Sequence, residues 1–294
     1  MTQQIVLVTG ATGGIGRETA LLLARLGYRV FATGRKAELL ERLGREAADL
    51  ALETLALDVN DADSIAAAGA EVERRTDGRG LDVLVNNAGF GLIAPLETIA
   101  EADLRGQLET NVVGLVRVTQ QFVPAMRRRG SGRIVNVSSV VGRMVLPFQG
   151  VYCATKHAVE ALSDALRMEL GPFGVRVTLV EPGPIKTRFA ETSTGSAARY
   201  RGPESPYAPA VALYERTVRA WDASSPGPAI VARKIAKVLR RKRPRARYVV
   251  PGRFGAAIWA VRLTPTRWVD AIFRRNVGLT PQVLAGPVEP PPTG

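Results

Sequence analysis

The chain has 294 residues, 46% of them hydrophobic, a formal net charge of +13, one cysteine and one histidine. This composition is typical of a globular protein, and it excludes a disulfide framework and a Cys/His metal site, so we expect no metal. We expect a cytoplasmic protein without a signal peptide, because no basic leader with a long apolar run opens the sequence. The longest apolar runs, such as 256–261, fall short of the roughly 20 residues that span a bilayer.

Apolar strand patterns and amphipathic helix patterns alternate up to Pro182. The predicted strands are 5–9, 29–33, 53–57, 81–85, 133–137 and 175–180, and the predicted helices are 18–26, 37–48, 62–75, 102–126 (interrupted near its start) and 151–170. Because the strands are apolar throughout, helices must cover both faces of the sheet. Right-handed crossovers then give an α/β fold with a doubly wound parallel sheet of the Rossmann type.

The pattern changes after Pro182. Residues 191–209 are rich in Ser, Thr, Gly and Pro, which predicts a mobile loop or a short cap. Helices are predicted over 209–221 and 229–242, and 247–250 would be the seventh strand. An amphipathic segment over 254–275 is interrupted at Pro265, and the tail over 285–294 is predicted to be disordered.

A glycine-rich turn joins the first predicted strand to the first helix. Glycines let backbone N–H groups approach a pyrophosphate, and the positive end of the helix dipole then faces that anion. A plain strand–helix turn is the alternative. The candidate phosphate contacts are Gly10, Thr12, Gly13, Gly14, Ile15 and Gly16.

The end of the second strand carries a basic residue where a carboxylate would select NAD(H). Sheets that bind NAD place an acid there to accept the ribose 2′-OH, whereas this chain has Gly34 followed by Arg35. A guanidinium can hold the 2′-phosphate of NADP through charge-assisted hydrogen bonds. The sequence therefore favours NADP(H), although Arg35 is also compatible with an ordinary surface position.

The spacing Thr-Gly-x-x-x-Gly-x-Gly over 9–16 resembles the short-chain dehydrogenase/reductase family, as do Asn-Asn-Ala-Gly at 86–89 and Tyr-x-x-x-Lys at 152–156. The resemblance implies an oxidoreductase and a homodimer or homotetramer. Of the two asparagines, Asn86 is the better binding candidate, and Asn87 can be structural. The resemblance implies further cofactor contacts from Asp58, Val59, Asn86, Ala88, Gly89, Tyr152, Lys156, Pro182, Gly183, Ile185 and Thr187.

Four residues are candidates for catalysis. Tyr152 and Lys156 are four residues apart and share one helix face, so the ammonium group is expected to lower the phenol pKa from its usual value near 10. Tyr152 would then act as the general acid or base. Ser139, preferred over Ser138, would hydrogen-bond the substrate oxygen. The resemblance adds Asn111, which would hold a water in a proton relay to Lys156.

The substrate is expected to be a lipophilic alcohol or ketone. The stretch 139–153 resembles the 17β-hydroxysteroid and retinol dehydrogenase branch of the family, which implies such a substrate. The predicted wall is mostly apolar, as a greasy ligand requires. It consists of Ser139, Val141, Met144, Val145, Phe148, Gln149 and, in the loop acting as a lid, Phe189.

Alternative functions arise from the basic second half, which has no Asp or Glu from 223 to 269. One is reduction of a 3-oxoacyl thioester on CoA or an acidic carrier protein, and another is a non-enzymatic NADP-binding regulator. Nucleic acid is not an expected partner, and a solvated helix face is the plain interpretation of the basic stretch 233–253. Segment 253–275 packs over the pocket or at a subunit contact, with peripheral membrane contact as the alternative.

These assignments predict one domain over 1–284. It comprises a cofactor half (1–188), a substrate loop or cap (189–225) and a C-terminal extension (253–284).

Overall fold

A computed structural model describes residues 3–202 and 204–285. Within these residues, seven strands form one parallel sheet in the order β3-β2-β1-β4-β5-β6-β7, which confirms the doubly wound Rossmann-type prediction. The strand order reverses between β1 and β4, and such a switch point opens a ligand crevice at the carboxyl ends of the strands. The strands are β1 Ile5–Val8, β2 Arg29–Gly34, β3 Leu52–Ala56, β4 Val83–Asn86, β5 Gly132–Val137, β6 Val175–Pro182 and β7 Arg247–Val250.

Helices cover both faces of this sheet. The alternation of side chains along a strand sends Val6 and Val8 of β1 into one hydrophobic cluster and Ile5 and Leu7 into the other. The helices are α1 Gly14–Arg25, α2 Ala37–Glu46, α3 Ala62–Arg75, α4 Glu101–Leu108, α5 Gly114–Arg129, α6 Gly150–Leu170, α7 Arg188–Ala197, α8 Ala208–Ser224, α9 Ala229–Leu239, α10 Arg253–Leu263, α11 Thr266–Asn276 and α12 Pro281–Leu284. Helices α1, α2 and α9 line the first cluster, and α3, α5 and α6 line the second.

Most element boundaries agree with the sequence analysis. The helix over 62–75 and the strand over 247–250 have the predicted bounds, and the amphipathic segment near the C-terminus divides at Pro265 into α10 and α11. The predicted interruption of the long helix is a π-helical turn, Glu109–Val113, between α4 and α5. The disordered tail predicted over 285–294 lies outside the described residues, except for Ala285.

The prediction of a loop over 191–209 is wrong for its first part. Helix α7 and the 3-10 turn Ala198–Tyr200 occupy it. The Thr187 hydroxyl caps the helix by accepting the N–H of Phe189 (3.2 Å). The hydroxyls of Thr192 and Thr194 donate to carbonyl oxygens four residues earlier. A composition typical of loops is therefore compatible with a helix here, because the hydroxyl groups bond to the backbone of the helix itself.

Candidate active site

The glycine-rich turn between β1 and α1 is shaped to receive an anion. Gly10 and Gly14 have φ angles of +63° and +53°, in the left-handed region that favours glycine. A Cβ at position 16 would lie 2.4 Å from the Gly10 carbonyl oxygen. The Asn87 amide fixes the turn by donating to the Thr9 carbonyl (2.9 Å). The residue at the α1 N-cap, Gly13, provides no side-chain cap, so the first N–H groups of α1 point at a site for phosphate.

The segment after β6 covers this turn. The Thr187 methyl carbon lies 3.3 Å from the position of a Cβ on Gly14, and Arg188 Nη2 lies 3.0 Å from that of a Cβ on Gly13. Arg188 is exposed, so its guanidinium can reach a pyrophosphate held by the turn. The sequence analysis missed Arg188, although its position directly after the predicted cofactor residue Thr187 was a usable signal.

The end of β2 explains why glycine replaces an acid. A Cβ at Gly34 would lie 2.6 Å from Thr12 Cγ2, so a larger residue would force Thr12 to move. The next residue, Arg35, is mostly exposed, and its Nη1 lies 3.8 Å from Asp58 Oδ2. The other Asp58 carboxylate oxygen accepts the backbone N–H of Asn60 (3.0 Å). A guanidinium and a carboxylate therefore flank the predicted adenosine site.

The two asparagines at the end of β4, Asn86 and Asn87, have structural side chains. The buried Asn86 amide donates to Thr119 Oγ1 (3.0 Å) and to Asn136 Oδ1 (2.9 Å), inside the fold. The Asn86 side chain is thus not available to a cofactor, which corrects the preference for Asn86 over Asn87 as a side-chain contact. Further along, the Ala88 N–H donates to Thr9 Oγ1 (2.9 Å) and holds the 86–89 motif against the phosphate turn.

Three of the predicted catalytic residues meet at the carboxyl ends of β5 and β6. Tyr152, Lys156 and Ser139 are all buried. Lys156 Nζ lies 5.7 Å from the centroid of the Tyr152 ring and donates to the Val137 carbonyl (2.9 Å). Ser139 Oγ donates to the Pro182 carbonyl (3.3 Å). The structure therefore places a hydroxyl, a phenol and an amine around one crevice.

The pKa values of these groups differ from the expectation. Burial raises the pKa of the Tyr152 phenol above its usual value, and the neighbouring Ser139 hydroxyl only partly opposes this. Burial also lowers the pKa of Lys156 to about 8, against the attraction of Glu160. The chain alone does not produce the expected lowering of the Tyr152 pKa, because the loss of solvation of the phenolate outweighs the opposing effect of the Ser139 hydroxyl.

Asn111 lies in the π-helical turn, next to Lys156. Its amide donates to the Phe90 carbonyl (2.9 Å) and to Thr155 Oγ1 (3.1 Å), and its Oδ1 accepts the Phe90 N–H (3.0 Å). A Cβ on Gly89 would lie 2.9 Å from Asn111 Oδ1 and 3.9 Å from Lys156 Nζ. The two side chains are therefore close neighbours, and the relay role of Asn111 stays a prediction.

The residues predicted to form the substrate wall do not all lie together. Some pack around Tyr152, one packs against Tyr214, and one is exposed to solvent. Val141, Met144 and Phe189 pack with Tyr152, and the Tyr152 and Phe189 ring centroids are 5.3 Å apart. Val145 is 56% exposed.

Phe148 has a left-handed backbone (φ +63°), and its ring packs against Tyr214 (5.7 Å between centroids). Gln149 is only the N-cap residue of α6 and makes no side-chain cap bond. Phe148 is therefore a correction to the predicted wall, because its ring is buried in a different cluster, whereas Val145 and Gln149 stay predictions.

The C-terminal extension supplies two wall residues that the sequence analysis did not assign. Ile258 is buried in the Tyr152 cluster, and Phe254 packs on its edge. A Cβ on Gly183 would lie 2.6 Å from the Phe254 ring, so the ring rests on the turn after β6. The two residues are four apart on α10, and this helical spacing was the available signal. At α10, packing over the pocket agrees with the favoured prediction for this segment.

Two buried carboxylates and two partly buried arginines lie next to the predicted catalytic residues. This charged cluster consists of Glu160, Glu181, Arg143 and Arg247. Arg247 Nε donates to Glu160 Oε2 (2.8 Å), and Arg143 Nη1 lies 3.6 Å from Glu181 Oε2. Burial raises the pKa of Glu181 to about 7, and the Glu160 charge adds to the shift. Glu160 follows Lys156 by one helical turn, so the charged cluster adjoins the Lys156 amine.

Similarity to known proteins agrees with this arrangement. A family model described as short chain dehydrogenase matches residues 4–197. The human 17-beta-hydroxysteroid dehydrogenase type 1 is 48% identical over 204 residues, which cover 67% of this chain and 61% of the human protein. The chain thus matches less than two thirds of the length of that relative.

Two further similarities extend over more of the chain. The 3-ketodihydrosphingosine reductase of Bacteroides thetaiotaomicron is 35% identical over 244 residues, which cover 83% of this chain and 86% of the relative. The closed form of a serine dehydrogenase complexed with NADP+ has a TM-score of 0.73 at 29% identity, over 84% of this chain and 94% of that one. With its parallel sheet, glycine-rich turn and Ser–Tyr–Lys group, the chain belongs to the short-chain dehydrogenase/reductase family of oxidoreductases.

Proposed function

We propose that the protein is an NADP(H)-dependent oxidoreductase that interconverts a carbonyl group and a secondary alcohol on a lipophilic, steroid- or retinoid-like substrate. One observation carries the proposal. Ser139, Tyr152 and Lys156 are buried at the same edge of the sheet as the glycine-rich turn, and Tyr152 lies in an apolar cluster. Proton-transfer groups, a phosphate site and a greasy wall are the three parts that such a reaction requires.

The residues present fit NADP(H). The positive φ angles of Gly10 and Gly14 open the phosphate turn, and Arg188 lies over it. Arg35 lies where the 2′-phosphate of NADP would be held. The serine dehydrogenase whose solved structure is similar to this chain binds NADP+. When bound, the cofactor supplies or accepts the hydride, while the protein orients the reactants and handles the proton.

The side chains can perform the proton transfer. During reduction the Tyr152 hydroxyl donates its proton to the carbonyl oxygen, while Ser139 Oγ binds the same oxygen. During oxidation the phenolate form of Tyr152 takes the alcohol proton. With a pKa of about 8, Lys156 is mostly protonated at neutral pH, and its charge stabilises the phenolate. The proposed role of Asn111 is to connect Lys156 to solvent through a water, which is consistent with both side chains lying within 4 Å of the position of a Cβ on Gly89.

An apolar wall supports a lipophilic substrate. Val141, Met144, Phe189, Phe254 and Ile258 surround Tyr152 and provide few polar groups for a hydrophilic ligand. The names of two relatives, a hydroxysteroid dehydrogenase and a ketodihydrosphingosine reductase, both designate lipophilic substrates.

Thioester reduction on a carrier protein receives less support. Arg240 and Arg241 line an open groove of about 640 Å³ together with Leu26, at the end of α1. The ends of α1 and α9 lie at the amino edge of the sheet, as the neighbouring residues Gln3 and Gln4 before β1 show. This basic groove is therefore at the opposite edge from the crevice, where it cannot hold a carrier against Tyr152.

A substrate screen tests the proposal. NADPH oxidation would be followed with steroid ketones, retinal, a long-chain 3-keto lipid and a 3-oxoacyl-CoA, and repeated with NADH. We expect turnover of a lipophilic ketone with NADPH and a clear preference over NADH.

Tyr152→Phe should lower kcat by about 10²- to 10⁴-fold, because it removes the proton donor. Tyr248→Phe on β7 is the matched control, since its hydroxyl only accepts the Arg245 N–H. Turnover confined to the thioester, or a Tyr152→Phe variant as active as wild type, would contradict the proposal.

A further inference from the structure

Helix α10 has two different sides. On one side Ile258 is buried against Val141 and Tyr152, so the helix forms part of the roof of the crevice. On the other side Trp259 and Leu263 are 58% and 80% exposed. These two residues are four positions apart and therefore share one helix face. The roof of the pocket thus presents a large apolar surface outward.

Helix α11 continues this surface. None of its residues, 266–276, is buried. Trp268 and Ile272, again four apart, are 59% and 53% exposed. Single exposed apolar residues are common on proteins, but four large ones in two consecutive short helices mark an interaction site. We call α10 and α11 together the C-terminal helix pair.

The charge of the C-terminal helix pair is one-sided. It carries five arginines and one aspartate, which leaves a net charge of +4 over 253–276. All six of these residues are exposed, and Asp270 binds Arg274 only through its backbone carbonyl (3.4 Å). The arginines are Arg253, Arg262, Arg267, Arg274 and Arg275.

Exposed apolar side chains together with a positive charge indicate what binds to the C-terminal helix pair. A second copy of the chain would bring one set of arginines against another, and such like-charge contact opposes association. The surface of an anionic bilayer satisfies both features, because tryptophans settle at the headgroup level and arginines attract acidic lipids. Among the described residues, no helix has the length and apolar character needed to cross a bilayer. A helix pair lying on the membrane is consistent with that finding.

We propose that the C-terminal helix pair docks the protein on an anionic phospholipid surface, with Trp259, Leu263, Trp268 and Ile272 inserted at the headgroup boundary. Docking places the Phe254–Ile258 side of α10 between the bilayer and Tyr152. A lipophilic substrate then enters the crevice from the membrane; this last step rests on the proposed function, whereas the docking itself does not.

Vesicle sedimentation tests the docking without any turnover. The full chain would be mixed with phosphatidylcholine vesicles, with and without phosphatidylserine, at low and high salt. We expect sedimentation with the phosphatidylserine vesicles, weakened by salt because the attraction of surface charges is screened. Wild-type protein that stays in the supernatant with both kinds of vesicle would overturn the proposal.

Two variants on α11 locate the surface. Trp268→Gln/Ile272→Gln removes two of the four apolar anchors. Arg267→Gln/Arg274→Gln/Arg275→Gln removes three of the five arginines, each worth about fivefold in affinity. We expect the first to lose at least about tenfold and the second about 10²-fold in vesicle affinity. Because no residue of α11 is buried, both variants should keep the fold, which circular dichroism checks.

Matched controls lie elsewhere on the surface. Met168→Gln removes an apolar residue that is 65% exposed, and Arg240→Gln/Arg241→Gln removes charge from the basic groove. Both should sediment like wild type. Equal sedimentation of the α11 variants and wild type, or loss only in the Arg240/Arg241 variant, refutes the proposal. So does a wild-type dimer that Trp268→Gln/Ile272→Gln dissociates without any change in vesicle binding.

Discussion

Two groups of polar residues in the fold are built differently. Under β4 and β5 an amide network links Asn86 to Thr119 and Asn136, and Asn136 to Ser163, with distances of 2.8 to 3.0 Å. The charged cluster lies at β6 and β7, which carry Glu181 and Arg247. Within the described residues, neither carboxylate oxygen of Glu181 has a hydrogen-bond partner.

The difference separates two tasks. Neutral amides that are bonded to each other are cheap to bury, and they fix the geometry at every pH. Buried carboxylates without hydrogen bonds destabilise the fold, and they respond to pH. Lys156 adjoins the charged cluster, because the Glu160 charge acts on its ammonium group. The amide network therefore fixes the geometry of β4, β5 and α6, while the charged cluster contributes to the electrostatic environment of Lys156.

The largest effect is expected from Lys156→Met, which removes the amine next to the charged cluster. We expect kcat to fall by about 10²- to 10⁴-fold, because the phenolate of Tyr152 loses its cationic neighbour. Steady-state kinetics on the substrate found by the screen would measure it. Lys237→Met in the basic groove is the matched control and should retain activity. A Lys156→Met variant within about tenfold of wild type would remove Lys156 from the mechanism.

The charged cluster should also affect how kcat/KM, which reports on the free enzyme, depends on pH. Since the pKa of Lys156 is about 8, kcat/KM for NADPH should fall as pH rises through that value and the amine loses its charge. Glu160→Gln should move the fall to lower pH, because the Glu160 charge opposes the effect of burial. An unchanged profile would show that Glu160 does not act on Lys156.

Sequence reasoning placed residues well where backbone requirements are local. The glycine-rich turn lies between β1 and α1 as predicted, and Tyr152 and Lys156 lie one turn apart on α6, while their roles stay predictions. It failed where distant segments meet. Arg143, Glu181 and Arg247 have no common spacing, and their cluster forms only when β6 and β7 pair.

The misplaced wall residue has a similar explanation. The left-handed backbone of Phe148 turns its ring toward Tyr214 of α8. No sequence pattern predicts that backbone conformation. The composition of α7 likewise hid a helix, because its hydroxyls bond to their own backbone. Packing of the second half of the chain depends on contacts between residues far apart in the sequence, and local sequence patterns do not reveal such contacts.

Glu181→Gln tests the cost of the charged cluster. The folded pKa of Glu181, about 7, is above its ordinary value of 4.5, so the folded state holds a proton that the unfolded state has lost. Wild-type stability must therefore fall as pH rises between these values. Relative to wild type, we expect the free energy of unfolding of Glu181→Gln to increase by about 2 kcal/mol between about pH 5.5 and about pH 8.5.

Urea unfolding at the two pH values measures this difference. Glu191→Gln, an exposed carboxylate on α7, is the control and should show no such trend. If Glu181→Gln instead loses stability relative to wild type as pH rises, the ion pairs with Arg143 and Arg247 outweigh burial. The cluster would then be a stabilising element, and the contrast with the amide network would disappear.

Asn136→Ala examines the amide network, and its expected effect does not depend on pH. The substitution removes the acceptor of the Asn86 amide and the donor to Ser163, in a site with no solvent access. Each lost hydrogen bond is worth about 1 kcal/mol, so we expect a loss of about 2 kcal/mol. Because no group in this network titrates near neutral pH, the loss should be equal at both pH values in the same urea experiment. A loss that varies with pH would mean that the network and the charged cluster act as one unit, and Lys156 would then be held by both through the sheet.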